Sequence, residues 1–492
     1  SAAIALAVVL AFVAAFHRTR AFALVERSLS PILSIPHAAA AIGFAFLVAP
    51  SGLLARLASP GLTDWQRPPD LLIVGDPWGL AMIAALVVKE VAFLLLMTLA
   101  VLPQTGMREQ LPVARMLGYR PVAAFAKVVL PRLYPLIRLP LYAVVAYASS
   151  TVEVALILGP STPPPLAVAI VRWMNDPDLA MRFMASAAAL LQVAVTFTAL
   201  ALWRAGEVVT ARLARGWLTA GGRGAAEPAV AAVGAGGIAF TLAAAGGGVL
   251  ALALWSFAGF WRFPDALPGA WSARAWGMVA DAPVLFTNAA AIAGAATLLA
   301  VVLVVGALEH EIRRGRPAGR AARLVLFLPL LVPAVAFLFG LVLLAERAGL
   351  APGPALVVAG HLVFVLPYVY LALAEAYRRL DPRWSAVARA LGASPARTFL
   401  TVRLPMLSRA VLTAAAVGFA VSIGQYLPTQ LLGAGRVPTI TTEAVALAAG
   451  GDRRLAAAYG LAQSLLPFAG FWLAYGVPRV VFRHRRGMGA RP

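Results

Sequence analysis

Apolar runs of about 20 residues, divided by polar connections, recur from one end of the chain to the other. They lie at 2–16, 35–55, 80–102, 136–158, 180–203, 236–258, 283–307, 324–345, 355–376, 408–430 and 456–478. Most are long enough to cross a hydrocarbon core of roughly 30 Å as helices. None alternates with period two, and in lipid only helices or closed barrels satisfy their own backbone groups. The pattern predicts an all-α, polytopic membrane protein.

Composition agrees. Hydrophobic residues make up 61% of the 492 and charged residues 12%, with a mean hydropathy of +0.85. A soluble domain keeps roughly a quarter of its residues charged, so lipid is the solvent for most of this chain. The net charge of +21 invites a nucleic-acid reading, but its placement decides otherwise. The connections 17–34, 103–135, 204–235, 308–323, 377–407 (with Arg409) and 479–492 hold 29 Lys and Arg residues. The connections between them in order, 56–79, 159–179, 259–282, 346–354 and 431–455, hold 9; Lys89, Arg138 and Arg182 fall within spans. Such alternation is the positive-inside pattern. It makes the basic connections cytoplasmic and the bilayer the partner, with no nucleic acid expected. The absence of cysteine excludes disulfides and thiolate metal sites. Ser1 stands within an apolar run on the outer side, so a cytoplasmic start calls for one more helix before it. The first helix is therefore expected to be missing from this chain.

One polar cassette occurs twice. ARMLGYRPVAAFAKVVLP, 114–131, and ARALGASPARTFLTVRLP, 388–405, are identical at 9 of 18 positions. Their offset of 274 also pairs Gly159 with Gly433 and brings neighbouring spans into register. Both copies lie on the basic side, so the halves are parallel repeats related by an axis along the membrane normal. The expected division is a first membrane half over 1–213, a flexible linker over 214–237 and a second half over 238–492. Within the second copy, Asp381–Pro382 reads as N-cap and N1 of a helix. Gly392 suits the left-handed position that ends it, and Ser394–Pro395 opens a second helix expected to run to Pro405. Trp384, Val387 and Leu391 recur at helical spacing and form an apolar stripe among arginines. Amphipathicity alone fits a helix lying on the bilayer, but two like cassettes suit two like partners.

These residues resemble the cytoplasmic signature of permease subunits of binding-protein-dependent ABC importers, Glu-Ala-Ala, three residues, Gly, nine residues, Ile-x-Leu-Pro. The first copy has Pro112–Val113–Ala114, Gly118 and Val128–Val129–Leu130–Pro131; the second has Ala386–Val387–Ala388, Gly392 and Val402–Arg403–Leu404–Pro405. Both lack the glutamate. The resemblance implies that each elbow is a coupling helix seated in an ATPase subunit, carried by Ala114, Leu117, Gly118, Pro121 and Pro131 and by Ala388, Leu391, Gly392, Pro395 and Pro405. Two fused halves look like the thiamine and iron(III) importer branch. LGPSTPPPLAVAIVRWMNDPDLAMRF and SIGQYLPTQLLGAGRVPTITTEAV look like fused permeases described as thiamine-like. The family further implies a multi-pass protein of the bacterial inner membrane. Its partners would be two copies of a cytoplasmic ABC ATPase, which carry the ATP and Mg, and a periplasmic or extracellular solute-binding protein. The cargo would be a thiamine-like or other small organic molecule or ion, moved by alternating access.

The residues point the same way. A P-loop needs Gly-Lys-Ser/Thr to hold phosphates, and neither Lys89 nor Lys127, the two lysines, follows glycine. No HExxH pattern occurs, and His17, His37, His310, His361 and His484 are scattered, reading as packing or surface residues rather than metal ligands. The chain is expected to be no enzyme and to hold no cofactor of its own. Polar groups within spans are costly and hence candidates. Glu153, Gln425 and Tyr426, near the outer ends of their spans, are candidate pathway or gate residues, whereas Lys89 and Glu90 are expected to pair with other helices. The rival class is a secondary transporter with duplicated halves, which has no use for paired glycine elbows. A membrane-embedded enzyme would need an acid, base or metal constellation that is not apparent here.

Overall fold

A computed structural model describes residues 1–17, 19–224 and 227–481. Among these the chain is helical, with one isolated bridge between Ala258 and Trp271. In order, the helices of the first half are α1 (Ala2–Phe16), α2 (Arg20–Ser34), α3 (His37–Val48), α4 (Leu53–Ala58), α5 (Leu80–Val101), α6 (Met107–Met116), α7 (Pro121–Ala124), α8 (Leu130–Ser150), α9 (Glu153–Leu158), α10 (Leu166–Met174) and α11 (Met181–Thr219). Those that follow are α12 (Glu227–Ser256), α13 (Arg274–Ala280), α14 (Pro283–Arg314), α15 (Arg320–Leu331), α16 (Ala334–Arg347), α17 (Pro354–Arg379), α18 (Pro382–Ala390), α19 (Pro395–Thr398), α20 (Leu404–Ile423), α21 (Leu427–Gly433), α22 (Ile440–Ala448) and α23 (Arg453–Val481). Eight helices among the described residues are long and apolar enough to cross a membrane. His484, Arg18 and most of the basic segment 479–492 lie outside the described residues.

The repeat holds element by element. α5, α7, α8, α9 and α10 begin at 80, 121, 130, 153 and 166; α17, α19, α20, α21 and α22 begin 274 residues later, at 354, 395, 404, 427 and 440. The basic cassettes thus occupy one structural place in each half.

Four expectations need correction. The run 136–158 is no single span: α8 ends at Ser150 and α9 begins at Glu153. Ser149 and Ser150 both donate their hydroxyls to the Ala146 carbonyl, drawing it away from the helical ladder where the helix stops. The run 408–430 breaks likewise between Ile423 and Leu427, where Pro428 occupies the first turn of α21. The run 324–345 is two helices bent by 107°, because Pro333 cannot continue the ladder. The stretch 214–237, expected as a flexible linker, is helical over 214–219 and 227–237. Its alanines favour helix, and 220–224 is its described non-helical part.

By packing, the described chain forms two compact units: Ser1–Val279 with Leu330–Gly340 and Ala444–Leu461, and Ala280–Pro329 with Leu341–Glu443 and the described residues from Ala462. In the first, α12 lies against α1 and α3. A Cβ on Gly43 would stand 2.7 Å from the Gly248 carbonyl oxygen, so the two backbones touch. Small residues permit such approach where lipid offers no hydrophobic drive between helices. In the second unit α14, α17 and α20 pack pairwise, with Ala296, Ala300, Val365 and Ala414 fully buried between them.

Candidate functional site

Each elbow is built by its sequence. α6 and α18 end in the same Schellman motif, in which the amide two residues past the cap bonds back to the carbonyl of the third-last helical residue. Tyr119 N–H donates to the Ala114 carbonyl at 3.2 Å, and Ala393 N–H to the Ala388 carbonyl at 3.0 Å. Gly118 and Gly392 make the reversal at φ +84° and +82°, where a side chain on Cβ would strain the backbone. Leu117 and Leu391 are the caps just before them. Pro121 and Pro395 then stand at the first position of α7 and α19. In the second elbow the Asp381 carboxylate accepts from Arg383 N–H at 2.9 Å, and the Ser394 hydroxyl accepts from Arg397 N–H at 3.3 Å.

The second helix of each elbow does not stop at its Leu-Pro, contrary to the sequence expectation. A π turn, Phe125–Val129 or Phe399–Arg403, carries α7 into α8 and α19 into α20. Leu130 N–H bonds to the Phe125 carbonyl and Leu404 N–H to Phe399, each five residues back. A proline inside a helix lacks the amide and crowds the carbonyl four residues earlier. The wider turn places that demand where Pro131 and Pro405 can meet it, so each proline fixes a π turn and the helix continues.

The faces turned outward are apolar. Val113 and Leu117 on the first elbow match Val387 and Leu391 on the second, and all four are more than half exposed. Trp384 and Met116 extend the two patches. The anchoring differs. Ala114 is buried, whereas α18 has no buried residue.

Glu153, Gln425 and Tyr426 sit at the helix breaks. Glu153 opens α9, and its carboxylate accepts from the Tyr147 hydroxyl at 2.8 Å. Thr151, the repeat counterpart of Gln425, is buried, and its hydroxyl has no protein partner. Gln425 and Tyr426 form the break before α21. Glu153 belongs to the first unit and the other two to the second.

Sequence reasoning missed the polar cluster around Gln425. His361 on α17 is buried, with Nδ1 2.7 Å from the Ser422 hydroxyl and Nε2 2.8 Å from the Thr429 hydroxyl. Thr429 donates its proton to the Gln425 carbonyl at 3.0 Å, so its oxygen accepts from Nε2–H. The uncharged ring then accepts Ser422's proton at Nδ1. The Gln425 amide donates weakly, at 3.4 Å, to the His361 carbonyl, while its Oε1 is buried without a protein partner. With Thr439, Thr441 and the apolar Ala289, Ile292 and Ile423 these groups line a small cavity at the α20–α21 break. His361 stands 61 and 68 residues from its partners, so no local pattern announces it.

Lys89 and Glu90 do not pair with each other. Lys89 donates to the carbonyls of Ile32 and Ile35 at 3.0 and 2.6 Å, an ammonium set on the unsatisfied C-terminus of α2. Glu90 accepts from the Ser1 hydroxyl at 2.9 Å. Toward the basic end of the second unit, Glu309 accepts from the Tyr377 hydroxyl at 2.7 Å and pairs with Arg403 at 3.0 Å and Arg313 at 2.9 Å. In the first unit Glu207 accepts from Tyr134 and Tyr142 and pairs with Arg138 and Arg204. Among the described residues no three His, Asp or Glu side chains come together as a metal site would require.

A family model for the binding-protein-dependent transport system inner membrane component matches residues 302–481, the part that carries the second elbow. Over 465 residues the chain is 33% identical to the inner membrane ABC transporter permease protein YnjC of Escherichia coli K12, covering 93% of this chain and 81% of that protein. The chain belongs to the family of ABC transporter permeases. Shorter stretches of this permease are similar to two further members. One is the molybdenum transport system permease protein ModB of Mycobacterium tuberculosis, 34% identical over 147 residues, 27% of this permease and 55% of that protein. The other is a PotC homolog of Mycoplasma genitalium, a spermidine/putrescine transport system permease protein, 33% identical over 87 residues, 18% of this permease and 30% of that protein. A multi-pass inner-membrane permease is thereby established, and the secondary-transporter reading falls away.

Proposed function

We propose that this permease forms the translocation pathway of an ATP-driven importer whose two elbows each seat a cytoplasmic ATPase subunit. ATP and Mg belong to those subunits. A solute-binding protein on the outer side delivers a small solute, thiamine-like or another small organic molecule or ion. The single observation that carries the reading is the doubled elbow. Schellman glycine, N1 proline, π turn and outward apolar pair recur 274 residues apart, as two like partners require. The repeat halves, 1–213 and 238–492, each supply one elbow. Glu153, Gln425 and Tyr426 are the pathway or gate residues in this reading, because helix breaks expose polar backbone only where it lines a cavity.

The test is co-purification. A tagged permease extracted from native membranes is expected to bring down an ATPase subunit, and Gly118→Arg with Gly392→Arg to release it. Retention of the ATPase by that double variant would refute elbow docking. For the pathway residues, Glu153→Gln is expected to change solute transport or its coupling to ATP hydrolysis, and an unchanged ratio of the two would remove Glu153 from the pathway.

A further inference from the structure

The two elbows match in backbone and differ in what lies behind them. At the first, three residues from between the halves, Ala220, Arg223 and Glu227, bond to the elbow. The Arg223 carbonyl accepts from Arg120 N–H at 3.0 Å, and the Glu227 carboxylate accepts from Val122 N–H at 3.0 Å. Lys127 donates to the Ala220 carbonyl and stands over the rings of Tyr119 and Trp217 at 5.3 and 4.9 Å. The Arg223 side chain lies so close that a Cβ on Gly118 would meet its guanidinium at 3.1 Å, whereas nothing stands within 4 Å of a Cβ on Gly392.

At the second elbow the link is a buried ion pair. Arg403, the last residue of the π turn, pairs with Glu309 of α14 at 3.0 Å, both side chains nearly buried. Arg403 also stands 5.2 Å from the ring of Tyr377 on α17, which donates to the same carboxylate at 2.7 Å. The equivalent position in the first elbow is Val129, fully buried and unable to form such a pair.

We propose that the elbows are unequal transmission parts: the first moves with the inter-half residues Ala220, Arg223 and Glu227 that bond to it, and the second drives α14 and α17 through Arg403, Glu309 and Tyr377. An ATPase pair then meets one elbow whose docking surface includes Arg223 and one whose glycine is bare. Arg403 and Glu309 are positioning residues, acting on the pathway through the helices they join. The proposal rests on the elbows being ATPase docking sites.

Its test uses the absence of native cysteine. Arg115→Cys and Arg389→Cys place one thiol at equivalent, exposed positions of the two elbows, and cross-linking to the co-purified ATPase is scored for each. Releasing the clasp with Arg223→Ala plus Glu227→Gln is expected to change the Arg115→Cys yield at least threefold and leave the Arg389→Cys yield unchanged. Replacing the buried pair together, Glu309→Gln plus Arg403→Met, is expected to leave the Arg115→Cys yield unchanged. It should cut the stimulation of ATP hydrolysis by the solute-loaded binding protein at least fivefold, with basal hydrolysis kept and Arg403→Lys partly restoring it. Should that double variant not assemble, Tyr377→Phe removes one hydroxyl and is expected to lower stimulation in the same direction, about twofold. Equal responses of the two thiols to the clasp variant, or full stimulation in the lever variants, would overturn the inequality alone. Absence of cross-links from both thiols while the ATPase still co-purifies would overturn the docking reading itself.

Discussion

Gly118 and Gly392 hold φ above +80°, and the second has open space where a Cβ would go. Its requirement for glycine is therefore conformational and not steric. Gly392→Ala is expected to cost about 1 kcal/mol through the left-handed backbone alone, measured as a lower Tm of the detergent-solubilised permease. Gly61, outside the left-handed region and with nothing near, is the control, and an equal loss at both would contradict this reading. His361 makes a second prediction at this scale. His361→Phe keeps the volume roughly but leaves the Ser422 hydroxyl without its acceptor at a buried position. A loss of about 1–3 kcal/mol is expected, again by thermal unfolding. His361→Gln retains an acceptor and a donor and should lose less.

Helix α12 meets α3 backbone to backbone at Gly43 and Gly248. A leucine at 43 cannot be absorbed by rotamer change, because the obstacle is a carbonyl group. Gly43→Leu is expected to part the two helices and reduce the folded fraction in membranes more than tenfold, whereas Gly294→Leu, with nothing within 4 Å, is expected to be neutral. Comparable yields would show that the close contact is dispensable. Element by element, the sequence disclosed what depends on local chemistry: Asp381–Pro382, Ser394–Pro395 and Gly392 mark boundaries within a residue or two. It concealed what depends on backbone bonding inside an apolar run. Hydropathy does not distinguish a π turn from an α turn, so Pro405 read as a stop. Nor does mean hydropathy over a window register the breaks at Ser150 and Ile423, because the polar residues there, Ser149 to Thr151 and Ser422 with Gln425, are averaged with long apolar flanks. Glu309 read as part of a basic connection because Arg403, its buried partner, lies 94 positions on.

Across the whole molecule, the repeat accounts for why one polar cassette appears twice, and its offset of 274 is legible in the sequence alone. The glutamate absent from both copies has no replacement at its own positions, Pro112 and Ala386, and nothing in the structure explains its loss. Each half also holds one carboxylate among arginines and tyrosines: Glu207 with Tyr134, Tyr142, Arg138 and Arg204, and Glu309 with Tyr377, Arg403 and Arg313. In the proposed function, motion enters this permease through its elbows and is powered by ATP. The most direct measurement reconstitutes the permease with its co-purified ATPase in proteoliposomes and follows solute uptake with and without ATP on the elbow side. Uptake should require ATP hydrolysis and disappear in the Gly118→Arg, Gly392→Arg double variant. Uptake that persists in that variant, or runs on an ion gradient without ATP, would contradict the account.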